Sequence, residues 1–236
     1  MSATITVPNR IVITGASRGI GRSIALRLAA KGISLVLQGR NAQLLAEVAR
    51  ECESRGATTS RYLVDLTDLP SVEKFAQEIT SSPVDVLINN AGIARTALIA
   101  DQDISDWQET MTVNLFAPVM LTKAVLPGMK AGSSVVNIAS MSSFNAYATL
   151  GSYCASKFAL EGFTQCLRLE TQERGIRVIG IYPASTRTDI WEGMSLKLDV
   201  TKMMSPDDIA EGVYAALAMP PTTMVRNLTI VNTRPL

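Results

Sequence analysis

The chain has 236 residues, of which 47% are hydrophobic and 18% are charged, and its formal net charge is +1. This balance suits a single domain with a full core and argues against nucleic-acid or membrane-surface binding, both of which usually need a basic face. The sequence contains no histidine, which excludes Ser-His-Asp and Cys-His nucleophiles, so any acid–base group must be Tyr, Lys, Asp, Glu or Cys.

Cysteine usage and the first residues predict where the protein works. Cys52, Cys154 and Cys166 form no C-x-x-C pair and no zinc-site pattern. The N-terminus shows no charged-then-apolar signal peptide. We therefore expect a cytoplasmic protein that holds no metal and spans no membrane, with its cysteines as small core residues.

Strands and helices alternate along the chain. Short apolar, β-branched runs predict strands at residues 10–14, 33–37, 59–64, 84–88, 133–139, 176–182 and 227–231. Apolar residues at helical spacing predict a helix that ends at residues 31–32 and further helices at residues 41–55, 67–80, 106–130, 151–173 and 205–218. This alternation predicts an α/β fold with one domain over residues 1–236. Its mostly parallel, doubly wound sheet of seven strands would carry helices on both faces and bind ligands beyond the carboxyl ends of the strands.

The first strand runs into a glycine-rich turn at residues 14–21, Thr-Gly-Ala-Ser-Arg-Gly-Ile-Gly. Gly15, Gly19 and Gly21 let the backbone turn tightly and approach a pyrophosphate, and the following helix supplies N–H groups and partial positive charge. The spacing is G-x-x-x-G-x-G rather than G-x-G-x-x-G. Because a strand precedes the turn and a helix follows it, the motif predicts a nucleotide site.

Charges near the expected adenosine end indicate which nucleotide binds. A dinucleotide fold that prefers NAD usually places an acid after the second strand, where it holds the ribose diol. This chain has Arg40 there, and Arg18 lies in the glycine turn. Two guanidinium groups suit a 2′-phosphate, so we favour NADP(H) over NAD(H). The alternative is that both arginines are ordinary surface charges.

The ends of the third and fourth strands also carry polar and small residues. Asp65 and Leu66 follow the third strand, and residues 89–92, at the end of the fourth, read Asn-Asn-Ala-Gly. Asparagine side chains can tie neighbouring strand ends together. The small residues that follow would let a ligand lie against the backbone.

A proline lies inside the helix predicted at residues 106–130. Pro118 removes one hydrogen bond and clashes with the carbonyl four residues back, which belongs to Asn114. We therefore expect the Asn114 carbonyl to be free to hold a water. The alternative is a simple kink.

Residues 131–156 contain no Asp, Glu, Lys or Arg, yet they hold many hydroxyls and amides, and Lys157 closes the stretch. Ser140 falls at the carboxyl end of the fifth strand, and Tyr153 and Lys157 share a helix face. This favours a buried polar site; the alternative is a core aromatic beside a solvated lysine. A pair formed by the Lys157 ammonium and an ionised Tyr153 at ~4 Å, with an effective dielectric of ~20, is worth about 4 kcal/mol. This attraction would lower the pKa of Tyr153 by up to about three units.

In order and spacing, these motifs resemble those of the short-chain dehydrogenase/reductase family over residues 10–231. The matching residues are Thr14, Gly15, Gly19, Gly21, Asp65, Asn89, Asn90, Ala91, Gly92, Asn114, Ser140, Tyr153, Lys157 and residues 183–188. The resemblance implies a single-domain Rossmann fold, a homodimer or homotetramer, and hydride transfer between NAD(P) and a carbonyl or alcohol. The chain departs from the family at Ala184, where glycine is common, and at Thr186, where Val or Ile is common. We expect an altered local shape there rather than lost binding.

Four residues are predicted to act in catalysis. Tyr153 is the acid within reach of a carbonyl oxygen, and Ser140 would hold that oxygen against it. The resemblance implies that Lys157 also holds the nicotinamide ribose and that Asn114 holds a water linking Lys157 to solvent. The residues expected to bind the cofactor are Gly15, Ser17, Arg18, Gly19, Ile20, Gly21, Arg40, Asp65, Leu66, Asn90, Ala91, Gly92, Tyr153, Lys157, Pro183, Thr186 and Thr188.

The predicted function is reduction of a ketone or aldehyde by NADPH, or oxidation of a secondary alcohol in reverse, with a small molecule as partner. One alternative is a 3-oxoacyl thioester reductase, whose carrier protein would contact basic residues such as Arg187, Lys197 and Lys202. Another is a protein that senses NADP(H) without catalysis, and a third is an epimerase or dehydratase.

The substrate end is the least defined part of the sequence. Residues 189–204 look irregular, and we expect them to form a lid over the site. The apolar side chains of Phe144, Leu150, Trp191 and Met194 favour a hydrophobic or aromatic ketone.

Overall fold

The computed structural model describes residues 9–191, 199–220 and 222–233. Seven strands form one parallel sheet: β1 Arg10–Ile13, β2 Ser34–Gly39, β3 Thr58–Leu63, β4 Val86–Asn89, β5 Ser134–Ile138, β6 Arg177–Pro183 and β7 Asn227–Ile230. The helices are α1 Gly19–Leu28, α2 Ala42–Ser54, α3 Leu69–Ile79, α4 Ile104–Met111, α5 Ala117–Val125, α6 Gly151–Thr171 and α7 Pro206–Leu217. The predicted seven-stranded parallel sheet is confirmed, and the strand ends differ from the predicted ones by one or two residues.

The strand order positions the site. It is β3-β2-β1-β4-β5-β6-β7, so the chain reverses its direction across the sheet between β1 and β4. A crevice opens at such a switch point because the loops that follow the two strands leave toward opposite faces of the sheet. The glycine turn follows β1 and the Asn-Asn-Ala-Gly segment follows β4, so both border this crevice.

Helices cover both faces of the sheet, as expected. Along β1, Ile11 and Ile13 join the core cluster that is shared with α1, α2 and α7. Val12, between them, faces the other way and joins the cluster shared with α3 and α5. This alternation follows from the two-residue period of a strand, and a continuous apolar run is what a strand buried on both faces requires.

The long helix predicted at residues 106–130 is interrupted. The structure has α4, then a π-helical turn at Thr112–Phe116, then α5, and a 3-10 turn at Leu126–Gly128. The backbone N–H of Ala117 donates to the carbonyl of Thr112, five residues back. Pro118 has no N–H to donate, so the helix widens around Asn114 rather than continuing its regular ladder.

The same stretch is apolar. By length and composition, Ile104–Gly128 is the one helical segment among the described residues that would suffice to cross a membrane. Its parts pack on α3 and α6, and a core helix meets the same criterion.

Arginine side chains bind the helix ends on the side of the sheet opposite the crevice. The last carbonyls of a helix lack partners within the helix, and guanidinium groups satisfy them. Four arginines donate in this way to carbonyls at or near the ends of α1, α3, α5 and α7: Arg55, Arg10, Arg174 and Arg177. Because all strands are parallel, the helices run back across the sheet and begin on the crevice side, where an anion would bind.

Candidate active site

A cleft of about 820 Å³ runs along the carboxyl ends of the central strands. Of the residues predicted to act in binding or catalysis, all line the cleft except Gly21 and Asn114. Gly21 has another role, since a Cβ there would collide with the Gly15 carbonyl oxygen. Helix α1 can therefore approach the glycine turn only because residue 21 has no side chain.

The glycine turn needs glycine at two further positions. Gly15 has φ +65° and Gly19 has φ +54°, both in the left-handed region that other residues adopt at a cost. A Cβ at Gly15 would also lie 2.9 Å from the Cα of Ala91. The turn therefore presents bare backbone N–H groups to the cleft, which suits a phosphate.

Side chains from three strand ends hold this turn. The Thr14 hydroxyl oxygen accepts hydrogen bonds from the backbone N–H groups of Asn90 and Ala91, both at 3.0 Å. The Asn90 side chain donates to the Thr14 carbonyl at 2.8 Å. Gln38, near the end of β2, accepts from the Gly15 N–H at 2.9 Å and donates to the Val64 carbonyl at 2.6 Å. Gln38 was not among the predicted site residues; its signal was a polar residue at the end of an otherwise apolar strand.

The two arginines expected at the adenosine end each face a carboxylate. Arg18 pairs with Asp189 at 3.0 Å, and Arg40 lies 3.7 Å from Asp65. Burial acts to raise the pKa of Asp65, but hydrogen bonds from Thr67 and the Arg40 guanidinium outweigh it and hold that pKa below its usual range. All four charged side chains remain about half exposed, so these pairs are weak and exchangeable.

Buried amides link the strand ends beneath the cleft. Asn89 donates to the side-chain oxygen of Asn137 on the neighbouring strand at 2.8 Å. Asn137 in turn donates to the hydroxyl of Thr164 on α6 at 2.8 Å. The expectation that asparagines tie strand ends together is confirmed, and the tie extends to the helix that carries Tyr153.

Asn114, in the π-helical turn, clamps the loop after β4. Its side chain accepts from the Ile93 N–H and donates to the Ile93 carbonyl, both at 2.9 Å. It also donates to the Ser156 hydroxyl at 2.9 Å. The Asn114 side chain is thus fully engaged, while a Cβ at Gly92 would lie 3.4 Å from its oxygen and 3.6 Å from the Lys157 ammonium nitrogen. Asn114 therefore lies on the other side of Gly92, near Lys157, and does not line the cleft.

Tyr153 and Lys157 meet on one face of α6, as predicted. Both are buried, and the ammonium nitrogen of Lys157 lies over the Tyr153 ring, 5.7 Å from its centroid. Lys157 donates to the Ile138 carbonyl at 2.9 Å, just before Ser140. The backbone N–H of Ser142 donates to the Ser140 hydroxyl oxygen at 3.0 Å, which fixes that side chain at the end of β5.

The expected lowering of the Tyr153 pKa is wrong for this geometry. Burial raises the pKa of Tyr153 to about 12, and the Ser140 side chain opposes the rise only in part. Burial also lowers the pKa of Lys157 to about 8. Burial, rather than the charge of Lys157, is the main cause of the Tyr153 shift, because both groups lie in the interior. Near neutral pH this leaves Tyr153 protonated and Lys157 charged.

Glu161, one turn beyond Lys157, is also buried. Its carboxylate accepts hydrogen bonds from the Tyr182 hydroxyl and from the Gln165 amide. Glu161, the first acidic residue after residues 131–156, is therefore hydrogen-bonded to Tyr182 and Gln165.

The segment after β6 closes the cleft. Thr186 is buried, and its backbone N–H makes no hydrogen bond to another described residue, so it stays available to a ligand. The Arg187 N–H donates to the Met204 carbonyl at 2.9 Å, and the Trp191 indole donates to the Thr186 carbonyl at 2.7 Å. Of the lid predicted at residues 189–204, residues 192–198 lie outside the described residues, and Met204, at its end, is buried.

The substrate end differs from the sequence expectation. Leu150 and Trp191 line the cleft, but Phe144 does not: its ring packs on Tyr182 with a centroid separation of 4.8 Å. Met194 lies outside the described residues. The lining residues that the sequence did not single out within the expected pocket loops include Met141, Tyr147, Ala148 and Ile190. Their segments are irregular, so no periodicity indicated which side chains would turn inward.

Comparison with known proteins agrees with this geometry. A family model described as short chain dehydrogenase matches residues 9–199. Sepiapterin reductase of Chlorobaculum tepidum is 31% identical over 229 residues, which cover 92% of this chain and 93% of that protein. The crystal structure of a short chain dehydrogenase from Burkholderia cenocepacia in complex with NADP superposes with a TM-score of 0.85 at 29% identity, covering 94% of this chain and 96% of that one. An alcohol dehydrogenase from Thermococcus sibiricus, complexed with 5-hydroxy-NADP, gives a TM-score of 0.88 at 28% identity, covering 97% and 99%. The chain therefore belongs to the short-chain dehydrogenase/reductase family of oxidoreductases.

Proposed function

We propose that the protein reduces a ketone or aldehyde with NADPH, or oxidises the corresponding secondary alcohol in reverse. The observation that carries this proposal is the convergence of Ser140, Tyr153 and Lys157 in one cleft with the glycine turn. At neutral pH this group offers a protonated phenol beside a buried cation. A phenol that can protonate a developing alkoxide is what carbonyl reduction requires.

The residues present fit NADP(H). The glycine turn and the N-terminus of α1 offer N–H groups to the pyrophosphate, and Arg18 and Arg40 offer guanidinium groups to a 2′-phosphate. Asp189 and Asp65, which face these arginines at the cleft surface, would yield them to the doubly charged phosphate. Relatives crystallised with NADP support this assignment.

The remaining cofactor contacts follow from the cleft lining. Lys157 would hold the nicotinamide ribose, and the N–H of Thr186, which has no partner among the described residues, would hold the carboxamide. Asn90, Ala91, Gly92 and Leu66, with Ser17, Ile20, Pro183 and Thr188, would complete the walls. The bound cofactor supplies a hydride donor at the nicotinamide end of the cleft.

Residues of the protein bind and protonate the carbonyl oxygen of the substrate. Ser140 donates a hydrogen bond to the carbonyl oxygen and holds it against Tyr153. The Tyr153 hydroxyl then gives its proton to that oxygen, and the Lys157 charge stabilises the tyrosinate that is left. A water on the Asn114 carbonyl would return the proton from solvent, since the π-helical turn and Pro118 remove that carbonyl's usual partner.

We further propose a single domain over residues 1–236, a lid at about residues 189–204, and a homodimer or homotetramer in the cytoplasm. The oligomer is supported by the outer side of α6, where Gly162 has open space around its Cα and Cys166 is exposed. Such a small, uncharged surface lets a second helix approach closely.

A panel of carbonyl substrates tests the function. We expect NADPH absorbance to fall with at least one ketone or aldehyde, and NADH to react more slowly in parallel. Ser140→Ala should bind NADPH normally and lose most turnover. Tight NADPH binding with no turnover on any carbonyl would favour the alternative of a non-catalytic NADP(H) sensor. Equal or faster reaction with NADH would contradict the role of the two arginines.

A further inference from the structure

Among the described residues, the cleft offers a substrate no free cation. Its charged lining residues are Arg18, Arg40, Asp65, Lys157 and Asp189. Four of them form two opposite-charge pairs at the adenosine side of the cleft. The fifth, Lys157, is buried, donates to the Ile138 carbonyl and is committed to Tyr153. A carboxylate or phosphate on the substrate would therefore enter the cleft without a counterion, at a desolvation cost.

The wall around the reacting group is apolar. Tyr153 packs with Leu150 and Cys154 in a small buried cluster, against which Ala94 and Ile190 also pack. Met141 and Ala148 continue this surface along the cleft lining. A ketone carbon placed beside the Tyr153 hydroxyl thus carries its substituents into an uncharged environment.

Two aromatic side chains line the cleft beside this wall, and the backbone around both is fixed. The Trp191 indole is tied to the Thr186 carbonyl at 2.7 Å. Tyr147 belongs to the segment that ends at Leu150, where the Leu150 N–H donates to the Tyr147 carbonyl at 3.2 Å and Ala97 pairs with Leu150 in an isolated bridge. Aromatic side chains favour flat partners because stacked and edge-to-face contacts between rings are attractive.

The left-handed backbone of Thr149 adds to this rigidity. It has φ +66°, and it is the only described residue other than glycine with a positive φ. A β-branched residue takes this conformation only when its surroundings impose it. Here the Thr149 carbonyl accepts from the Ala97 N–H at 3.0 Å, which holds the turn that carries Tyr147. Backbone strain of this kind clusters at ligand-binding sites.

We infer, on the basis of the proposed reductase function, that the substrate is a ketone that carries no anionic group and bears a flat aromatic or conjugated ring, and that Tyr147 and Trp191 determine this specificity. The ring contacts these two side chains while its carbonyl reaches Ser140 and Tyr153. Reduction would form a C–H bond and an O–H bond on the substrate and break its carbonyl π bond; the hydride would leave a C–H bond of NADPH, which is oxidised to NADP+, and the proton would leave the Tyr153 hydroxyl, which solvent reprotonates.

This inference separates the protein from a carrier-thioester reductase. An acidic carrier protein needs cations at the cleft mouth. Arg187 is exposed but does not line the cleft, and Lys202 lies 3.8 Å from Asp199, with which it pairs. Lys197 lies outside the described residues. The described rim thus carries no group of cations.

Matched substrates test the charge argument. Methyl 4-acetylbenzoate and 4-acetylbenzoate present the same aryl ketone, the first without and the second with a remote carboxylate. We expect kcat/KM to be at least ~10-fold higher for the ester, on the scale of one misplaced polar group in an apolar pocket. A carboxylate that reacts as well as the ester would overturn the inference.

Matched variants test the aromatic contacts. Tyr147→Ala and Trp191→Ala should each lower kcat/KM for acetophenone relative to cyclohexyl methyl ketone by roughly 10-fold. Phe144→Ala is the control, because Phe144 is as exposed as Tyr147, 45% against 49%, yet does not line the cleft. Comparing each ratio with that of the unmodified protein cancels the ketones' intrinsic reactivities.

The outcomes are distinguishable. If the protein binds NADPH and reduces the panel, but Phe144→Ala shifts the ratio as much as Tyr147→Ala does, the specificity inference fails and the reductase function stands. If NADPH binds and no ketone in the panel is reduced, the proposed function fails and the inference fails with it. NADPH binding, measured by nucleotide fluorescence for every variant, shows that the cofactor end is intact.

Discussion

Replacing Lys157 by methionine should make the protein more stable while removing its activity. The Lys157 ammonium is buried, and burial lowers its pKa from the ordinary 10.5 to about 8. At neutral pH the folded protein holds this group charged, so the fall in pKa corresponds to a penalty of about 3 kcal/mol. Methionine fills a similar volume without a charge and forgoes the hydrogen bond to Ile138, which is worth about 1 kcal/mol. We expect the free energy of unfolding to rise by about 2 kcal/mol at pH 7.

The sign of the pH dependence provides a sharper check. Between pH 8 and 10.5 the unfolded chain binds a proton at Lys157 that the folded protein has released, so the stability of the unmodified protein rises with pH in this window. The advantage of Lys157→Met should therefore shrink above pH 8, vanish at pH ~10, where the remaining charge penalty equals the lost hydrogen bond, and reverse at higher pH. Urea unfolding followed by tryptophan fluorescence measures both effects.

Lys123→Met, at an exposed position on α5, is the control and should change stability by less than about 0.5 kcal/mol. A Lys157→Met protein that is less stable at pH 7, or an advantage that does not change with pH, would refute the reasoning.

Three further predictions concern the cofactor and pH. Arg18→Ala and Arg40→Ala should each raise the KM for NADPH by roughly 10-fold, since a charged hydrogen bond is lost, and leave the KM for NADH nearly unchanged. Gly15→Ala should weaken NADPH binding in a fluorescence titration, because residue 15 has φ +65° and its new Cβ would collide with Ala91. Unchanged affinity would contradict the assigned turn geometry. In the reduction direction kcat/KM should stay level below pH 8 and fall above it as Lys157 loses its charge, and a profile that is flat to pH 10 would contradict that dependence.

The sheet and the outline of the site could be predicted because their signals are local. A parallel strand buried on both faces reads as a short apolar run, and helical periodicity separates one run from the next. Chemistry-bearing residues then fall at strand ends that the topology brings to one edge, as with Ser140 and Asn90. Gln38 shows the limit of this reasoning, since its polarity was visible but its bond to the glycine turn was not.

What could not be predicted depends on contacts between distant residues and on burial. The pair of Arg18 and Asp189 joins positions 171 residues apart. Because proline lacks an N–H, Pro118 indicated a disturbed helix. It did not indicate that the helix would rearrange into a π-helical turn. Spacing suggested that Lys157 lowers the pKa of Tyr153, whereas the depth of both side chains reverses the direction.

The turnover of Tyr153→Phe tests the central claim most directly. The substitution removes one hydroxyl from a ring that is otherwise held by Leu150 and Cys154, so folding and NADPH binding should be preserved. With the best ketone from the panel, we expect kcat to fall at least about 100-fold, the scale of a lost general acid. A kcat near that of the unmodified protein, with intact NADPH binding, would show that Tyr153 is not the proton donor.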